Sequence, residues 1–435
     1  MSERSERLDI DSDPKAYLAL HELLDEPVVD AGLSGRELEV RALTRDVVSR
    51  EVAPRAHDID RTHAFAHDSV QALARAGLMG LIFPPNLGGT GDSNVAYAVA
   101  MEEITAGCAA TSLVFMTQTH AAYPIMIAGS DDLARRYIPG LLDGSVYGSL
   151  GITEPNAGSD VSSLRTTARP MADGYLLNGS KTFITTGDRA GVIICFATTD
   201  KTLGRGGVSA FVVGGGWDGV RPGQPFDKMG MHGSSTAELF FDDVRVPVDH
   251  RLGAEGEGWR VVMNSVVKSR ISAAAQGIGL ARAAYARTLA TLTRMHGTRL
   301  PDEHLFALAD LRGRILQGRL LLHAVARQVD TAGDISTGQI GMMKQSCTDL
   351  GFAAAVEATR ILGPYGDLAA LGVERCLRDA KVTQIYDGTN EIQRILIGRE
   401  ITRAMEDWHD RPARQGSDRH GGRSRARPGD GGRAR

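Results

Sequence analysis

The chain has 435 residues, a formal net charge of −4 and 42% hydrophobic side chains, too long for one ordinary core and too apolar to be disordered throughout. No apolar run approaches about 18 residues, which excludes a transmembrane helix, and the polar start (residues 1–7) lacks the hydrophobic core of a secretory signal. Cys108, Cys195, Cys347 and Cys376 lie far apart with no Cys-x-x-Cys, which fits a reducing cytoplasm and excludes a disulfide framework or a zinc site.

Residues 1–32 form an acidic extension, with nine acidic and three basic side chains. From 33 to 146 the pattern is helical. Ser34 predicts an N-cap ahead of 36–52, and further helical runs fall near 68–76, 94–106 and 131–141. From 147 to 255 short β-prone runs (191–198, 208–213, 238–241) alternate with glycine and proline turns, which predicts a small barrel or sandwich. From 256 to 410 long helices return. Leu308, Leu311, Ile315 and Leu322 recur at helical spacing with arginines between them, and the helix lengths predict an antiparallel bundle. Residues 411–435 carry eight arginines against two aspartates among Gly, Pro and Ser, which predicts a disordered tail. No aromatic interleaving accompanies it, so nucleic acid is not an expected partner. The fold class is α+β.

Several segments carry polar chemistry at element ends. The run from Tyr147 stops at Thr153-Glu154-Pro155 and opens into a turn of Asn156, Gly158, Ser159 and Asp160, where backbone N–H groups and small hydroxyls can hold phosphate or polar ring atoms. Lys181-Thr182-Phe183-Ile184-Thr185-Thr186-Gly187 is a β-prone alternation ending in hydroxyls. Gly277-x-Gly279 lies inside a helical run with no preceding strand, so close helix packing is preferred over a dinucleotide loop. Asp387-Gly388 reads by itself as a turn with a solvated carboxylate before a helix capped near Asn390.

The first of these segments resembles the Thr-Glu-Pro-x-Ala-Gly-Ser-Asp flavin loop of the acyl-CoA dehydrogenase family, and four further segments follow in that family's order across roughly residues 35–405. The resemblance implies an N-terminal helical domain, a central β domain and a C-terminal four-helix bundle, with FAD where they meet. It implies Leu150, Ile152 and Thr153 along the flavin edge, and Gly158 and Ser159 on its pyrophosphate or on the thioester ligand. Phe183 matches a stacking aromatic, where tryptophan is more usual, and Thr185 a threonine near the redox nitrogen. His232 stands where arginine is usual and is read as structural. Arg270 matches a ligand-supporting arginine, flanked by Tyr386 and Gly388 as substrate contacts, and Val267 replaces an aspartate that commonly holds pantetheine. Ser269 fills the position where some relatives carry their base. Asp387 matches the C–H-abstracting carboxylate, usually glutamate, with Thr389 and Glu391 at flavin-contacting positions. At the subunit contact the match is partial: Arg294 stands for an arginine that reaches a neighbouring subunit's flavin, Gly363 survives from a glycine-rich segment, and Arg360 is a candidate partner of the pyrophosphate.

The implied reaction is oxidation of an acyl-CoA or acyl-carrier-protein thioester to its α,β-unsaturated form. Asp387 takes the α proton, the β hydride goes to FAD, and electrons pass to an electron-transfer flavoprotein or similar acceptor. A homotetramer or homodimer is implied; no membrane, nucleic acid or metal is. The alternative on the same fold is a flavin-dependent oxidase or monooxygenase acting on a non-thioester. A scaffold that has lost flavin is the reading outside enzymes.

Overall fold

The computed structural model describes residues 10–332 and 335–409; the Arg-rich segment 411–435, with its expected disorder, lies outside the described residues. Asp13 caps helix α1 (Pro14–Leu23) by accepting from the Lys15 N–H. The acidity of this extension has a structural use: Asp11 pairs with Arg287 and Arg375, Asp25 with Arg45, Glu26 with Arg312 and Asp30 with Arg41. Ser34 then opens α2 (Gly35–Val47) with a reciprocal capping box, its hydroxyl accepting from the Glu37 N–H while Glu37 accepts from the Ser34 N–H. A wide turn over Val48–Val52 leads into α3 (Ala53–Thr62), followed by α4 (His67–Arg75), α5 (Asn94–Gly107), α6 (Ala109–Ala128) and α7 (Asp131–Leu142). The sequence pattern predicts no helix over α6. Its residues are nearly all buried, so no polar face alternates with an apolar one, and Pro124 lies inside it.

Eight strands follow among the described residues: β1 (Gly148–Gly151), β2 (Thr167–Met171), β3 (Gly174–Thr185), β4 (Val192–Thr198), β5 (Val208–Gly214), β6 (Val220–Pro222), β7 (Thr236–Pro247) and β8 (Arg251–Leu252). They form one mixed sheet in the order β6-β7-β3-β2-β4-β5-β8, with β1 parallel to β4. β4 and β5 are buried along their whole length, paired antiparallel with Cys195 opposite Phe211. That double burial explains their unbroken apolar runs. The β3–β7 ladder shifts register between Lys181 and Ile184, and Phe183 in that bulge has φ of 57°. The bulge turns the Phe183 ring out of the sheet.

The last region comprises α8 (Gly258–His296), α9 (Asp302–Ala332), α10 (Thr337–Leu362), α11 (Val373–Thr383) and α12 (Asn390–His409). α8 and α10 touch through backbone at Gly277 and Gly351: a Cβ on Gly277 would stand 2.3 Å from the Cys347 carbonyl oxygen, and one on Gly351 2.6 Å from that of Gly277. Gly279, on the opposite side, allows the same approach to α5, where an added Cβ would lie 2.7 Å from the Glu102 carbonyl oxygen. The two glycines are thus packing residues within one helix.

Asp60 on α3 joins all three regions. It accepts both terminal nitrogens of Arg378 on α11, at 3.0 and 2.6 Å, and lies 3.0 Å from Nδ1 of His232 in the loop before β7. His63 stacks on His232, and Nε2 of His232 faces the Lys228 carbonyl at 2.7 Å. His232 therefore serves the junction between helices and sheet. Replacing Gly277→Ala is expected to force α8 and α10 apart and cost about 1–3 kcal/mol. A thermal midpoint of the purified protein equal to wild type would contradict this close contact.

Candidate active site

The polar turn after β1 is held from beneath by a buried ion pair. Lys181 on β3 has no exposure, and its ammonium donates to Glu154 Oε1 at 2.7 Å and to the Ile152 carbonyl at 3.1 Å. The Glu154 carboxylate also accepts the N–H groups of Arg165 and Thr166, and its backbone bridges to Ala157. Burial opposes its charge, yet Lys181 and these donors hold Glu154 below the usual carboxylate range. Neither residue is singled out by the sequence motifs, although both lie within them. A charged pair split by 27 positions becomes readable only when the strands pair.

This anchor builds a wall from β1 and the end of β3. The Thr182 N–H donates to the Thr153 carbonyl at 2.9 Å, and the Ser149 hydroxyl to the Thr185 carbonyl at 3.0 Å. Leu150, Ile152, Thr153 and Thr185 are therefore brought together, each half-buried, beside Phe183 at 67% exposure. Gly158 and Ser159 are exposed at the neighbouring turn, and nothing stands within 4 Å of a Cβ placed on Gly158. A cavity of about 270 Å³ lies just beyond, lined by Ser162, Ser163, Arg165, Thr198 and Lys201 among others. An outward aromatic, an apolar edge with hydroxyls and an open glycine turn suit a flat flavin ring with its pyrophosphate.

Asp387 sits in the turn between α11 and α12. It adopts φ of 57°, in the left-handed region that aspartate tolerates better than most residues, and Gly388 follows at 86°. The turn is tied at several points. Gln393 Nε2 donates to the carbonyls of Asp387 and Gly388, Arg270 Nε reaches the Asp387 carbonyl at 3.5 Å, and the Asn390 N–H donates to Gln384. Tyr386 donates its hydroxyl to Gln276, which in turn donates to Ser112 on α6. Asp387 is half-buried as a residue, but its Oδ2 is sealed from solvent and has no hydrogen-bond partner among the described residues. Burial pushes the carboxyl up to about 7, against Lys344, the Ser269 hydroxyl and Arg270, which favour the charged form. Arg270 is itself drawn down, to about 10, by burial.

Segment 226–234 links this turn to the wall. Phe226 packs on Phe183 with 5.2 Å between centroids, and the Met231 N–H donates to Asp379 on α11, eight residues before Asp387. Thr389 stands at the start of α12 with its hydroxyl accepting from the Ile392 N–H, and Glu391 is exposed one turn from Arg394. Val267 packs against the helical core. Arg294, Arg360 and Gly363 are not brought here. Continuous helix separates Arg294 from Arg270 by 24 residues, about 36 Å at 1.5 Å per residue. Arg360 and Gly363 lie at the far end of α10 from Lys344, and Arg360 pairs with Glu357.

Three family models match in order: the acyl-CoA dehydrogenase N-terminal domain over residues 34–145, its middle domain over 149–244 and its C-terminal domain over 256–402. The chain belongs to the FAD-dependent acyl-CoA dehydrogenase family. It is 38% identical over 372 residues to an acyl-CoA dehydrogenase of Bacillus subtilis, covering 84% of this chain and 97% of that one. Among solved structures, the butyryl-CoA dehydrogenase of Megasphaera elsdenii is 33% identical with a TM-score of 0.81, covering 85% of this chain and 99% of the other. A prolyl acyl-carrier-protein oxidase is 26% identical with a TM-score of 0.80, covering 85% and 99%. The protein is accordingly an FAD-dependent oxidoreductase that oxidises an acyl thioester, and the three-domain α+β expectation holds. No helix among the described residues is long and apolar enough to cross a membrane.

Lys181→Met is expected to strand the Glu154 carboxylate without its cation, at a cost of about 3–5 kcal/mol, and to lower flavin content. Because Glu154 is held below its unfolded value, the wild-type pair contributes fully above about pH 4.5 and fades as the pH falls. Thermal midpoints from pH 4 to 7 check this: the gap between wild type and variant should narrow toward acid.

Proposed function

We propose that Asp387 removes the proton α to the thioester carbonyl. The observation that carries this reading is the solvent-sealed, unpartnered Oδ2 in a carboxyl whose proton affinity burial has raised close to neutrality. A carboxylate with that proton affinity is a far better base than a solvated one, and the sealed oxygen has a single unmet valence for the incoming proton. FAD, when bound, supplies the two-electron acceptor for the β C–H bond. The Asp387 backbone N–H, presented by the left-handed turn, is assigned to the thioester oxygen, where a hydrogen bond strengthens as enolate charge develops. Arg270, buried beside the turn, adds positive potential on the same side. Aspartate is one methylene shorter than glutamate, so the turn itself, fixed by Gln393 and Asn390, must bring the carboxylate to its substrate.

For substrate we infer a thioester on a phosphopantetheine arm, of CoA or of a carrier protein. Arg165, Lys201 and the hydroxyls of Ser162 and Ser163 give the cavity beside the polar turn the character of a phosphate subsite. Val267 removes a carboxylate that would have held the arm, which leaves a carrier protein as suited as CoA. An electron-transfer flavoprotein or similar acceptor takes the electrons. A second copy of the chain supports the flavin through Arg294, Arg360 and Gly363, which lie too far from Asp387 to serve their own site. Exposed Ile401, Met405 and Trp408 line one side of α12 and suit the same assembly.

Asp387→Asn is expected to slow anaerobic flavin reduction by acyl thioesters by roughly 10²–10⁴-fold while flavin content stays at the wild-type level. In wild type the rate should rise with pH through about 7, as the carboxyl ionises, and fall away on the acid side. Full turnover in the asparagine variant would remove Asp387 from the reaction.

A further inference from the structure

We propose that Lys344 is the positioning residue of the proton-transfer step: its buried ammonium tethers the turn that carries Asp387 and places a positive charge beside the Asp387 carboxylate. The inference rests on Asp387 being the base.

Lys344 lies near the start of α10 with no solvent exposure. Its Nζ donates to the Asn390 side-chain oxygen at 2.8 Å, its one hydrogen bond among the described residues. Asn390 begins α12, three residues after Asp387. Its side-chain nitrogen donates to Thr348 and Asp349 on α10, at 3.0 and 2.7 Å, and its N–H to the Gln384 carbonyl at 3.0 Å. The 384–390 segment is thus strapped to α10 at both ends of the turn, through Asn390 and through Gln384 on Asp349, with the Lys344 ammonium donating to Asn390.

The charges around the turn do not balance. Arg270 from α8 and Lys344 from α10 face Asp387. Asp349 is occupied by Arg394, Asn390, Gln345 and Gln384, and Glu391 on α12 is exposed. Tyr97 and Tyr386 remain neutral, held protonated by burial. Two buried cations therefore attend one carboxylate. Burying a lysine opposes its charge, and burial draws Lys344 down from the ordinary range while Asp387 draws it up. Such a charge has a use only where negative charge appears. When the α proton moves from the acyl carbon to Asp387, the C–H electron pair stays with the acyl group. Asp387 becomes neutral, and Lys344 and Arg270 then face the enolate. The β hydrogen would leave as hydride, taking its own C–H pair to a bound two-electron acceptor, and the pair left at the α carbon would become the new Cα=Cβ double bond. Before the step the same charge keeps Asp387 ionised despite its burial.

Three substitutions separate tether from charge. Lys344→Gln keeps a donor for Asn390 and loses the charge, Lys344→Met loses both, and Lys344→Arg keeps the charge. The Asp387 carboxyl is titrated by infrared difference spectroscopy on protein labelled with carbon-13 aspartate, with Asp387→Asn to identify its band. Flavin reduction by butyryl-CoA and by a panel of longer acyl-CoA esters is followed by anaerobic stopped flow from pH 5.5 to 9. In Lys344→Gln the carboxyl midpoint and the acid limb of the rate should both move up by about one pH unit, a roughly fivefold lower rate at pH 7, with flavin content unchanged. Lys344→Arg should restore both, and Lys344→Met should shift as far and lose further rate at high pH. A Gln variant whose carboxyl midpoint matches wild type overturns the proposal, as does an equal loss at every pH in all three variants with a lowered thermal midpoint. If Asp387→Asn turns over normally, the base assignment fails instead, and the carboxyl titration still reads the Lys344 charge.

Discussion

The site depends on the contact of α8 and α10 at Gly277 and Gly351. Two helices normally lie 8–10 Å apart because side chains separate them. Here backbone meets backbone, and an added methyl would fall 2.3 Å from a carbonyl oxygen. That approach sets Arg270 and Lys344, on different helices and 74 positions apart, against one short turn. Asp387 then lies between them with its Oδ2 sealed from water. The raised proton affinity of Asp387 follows from this burial, where a solvated aspartate would keep the ordinary carboxylate value.

Charge burial recurs through the molecule. Glu102 and Glu103 on α5 are both buried and meet Arg45, Arg282, Arg319 and His323 from α2, α8 and α9. Burial opposes ionisation of Glu103, yet Arg282 and Arg45 hold it well below the usual range. The acidic extension joins the same network through Asp25 on Arg45, and Asp11 makes a separate pairing with Arg287 and Arg375. Breaking such pairs leaves a buried charge, so they fix one arrangement of the helices more than they add net stability. Around Asp387 the balance is left incomplete, with Lys344 and Arg270 facing one carboxylate.

The flavin wall shows the same division of labour between anchor and surface. The Glu154–Lys181 pair is hidden, while the residues it positions are open: the exposed Phe183, the half-buried edge of β1 and the glycine turn. Phe183 is held outward by a bulge and a left-handed backbone angle that a regular strand would not supply. Exposed aromatic surface on a strained segment is unfavourable in isolation, and such a surface suits a flat ring.

Much of this was legible in the chain itself. Ser34 announced the N-cap of α2, the double-buried β4 and β5 read as β-prone runs, and the glycines of α8 were recognisable as packing residues because no strand precedes them. The family motifs named the cofactor and the residue types of its wall. Helix α6 was not legible, since burial on all sides erases the period by which a helix is seen. Nor were Lys344 or the Glu154–Lys181 pair, because an ion pair has no local spacing to betray it. Above all, Asp387 in the sequence is a carboxylate in a turn, and a turn normally leaves its carboxylate in water. Local chemistry determined which groups were present; only the tertiary structure decided which of them lost their solvent. A proton affinity is set by what surrounds a group in space, and that information is spread over four helices.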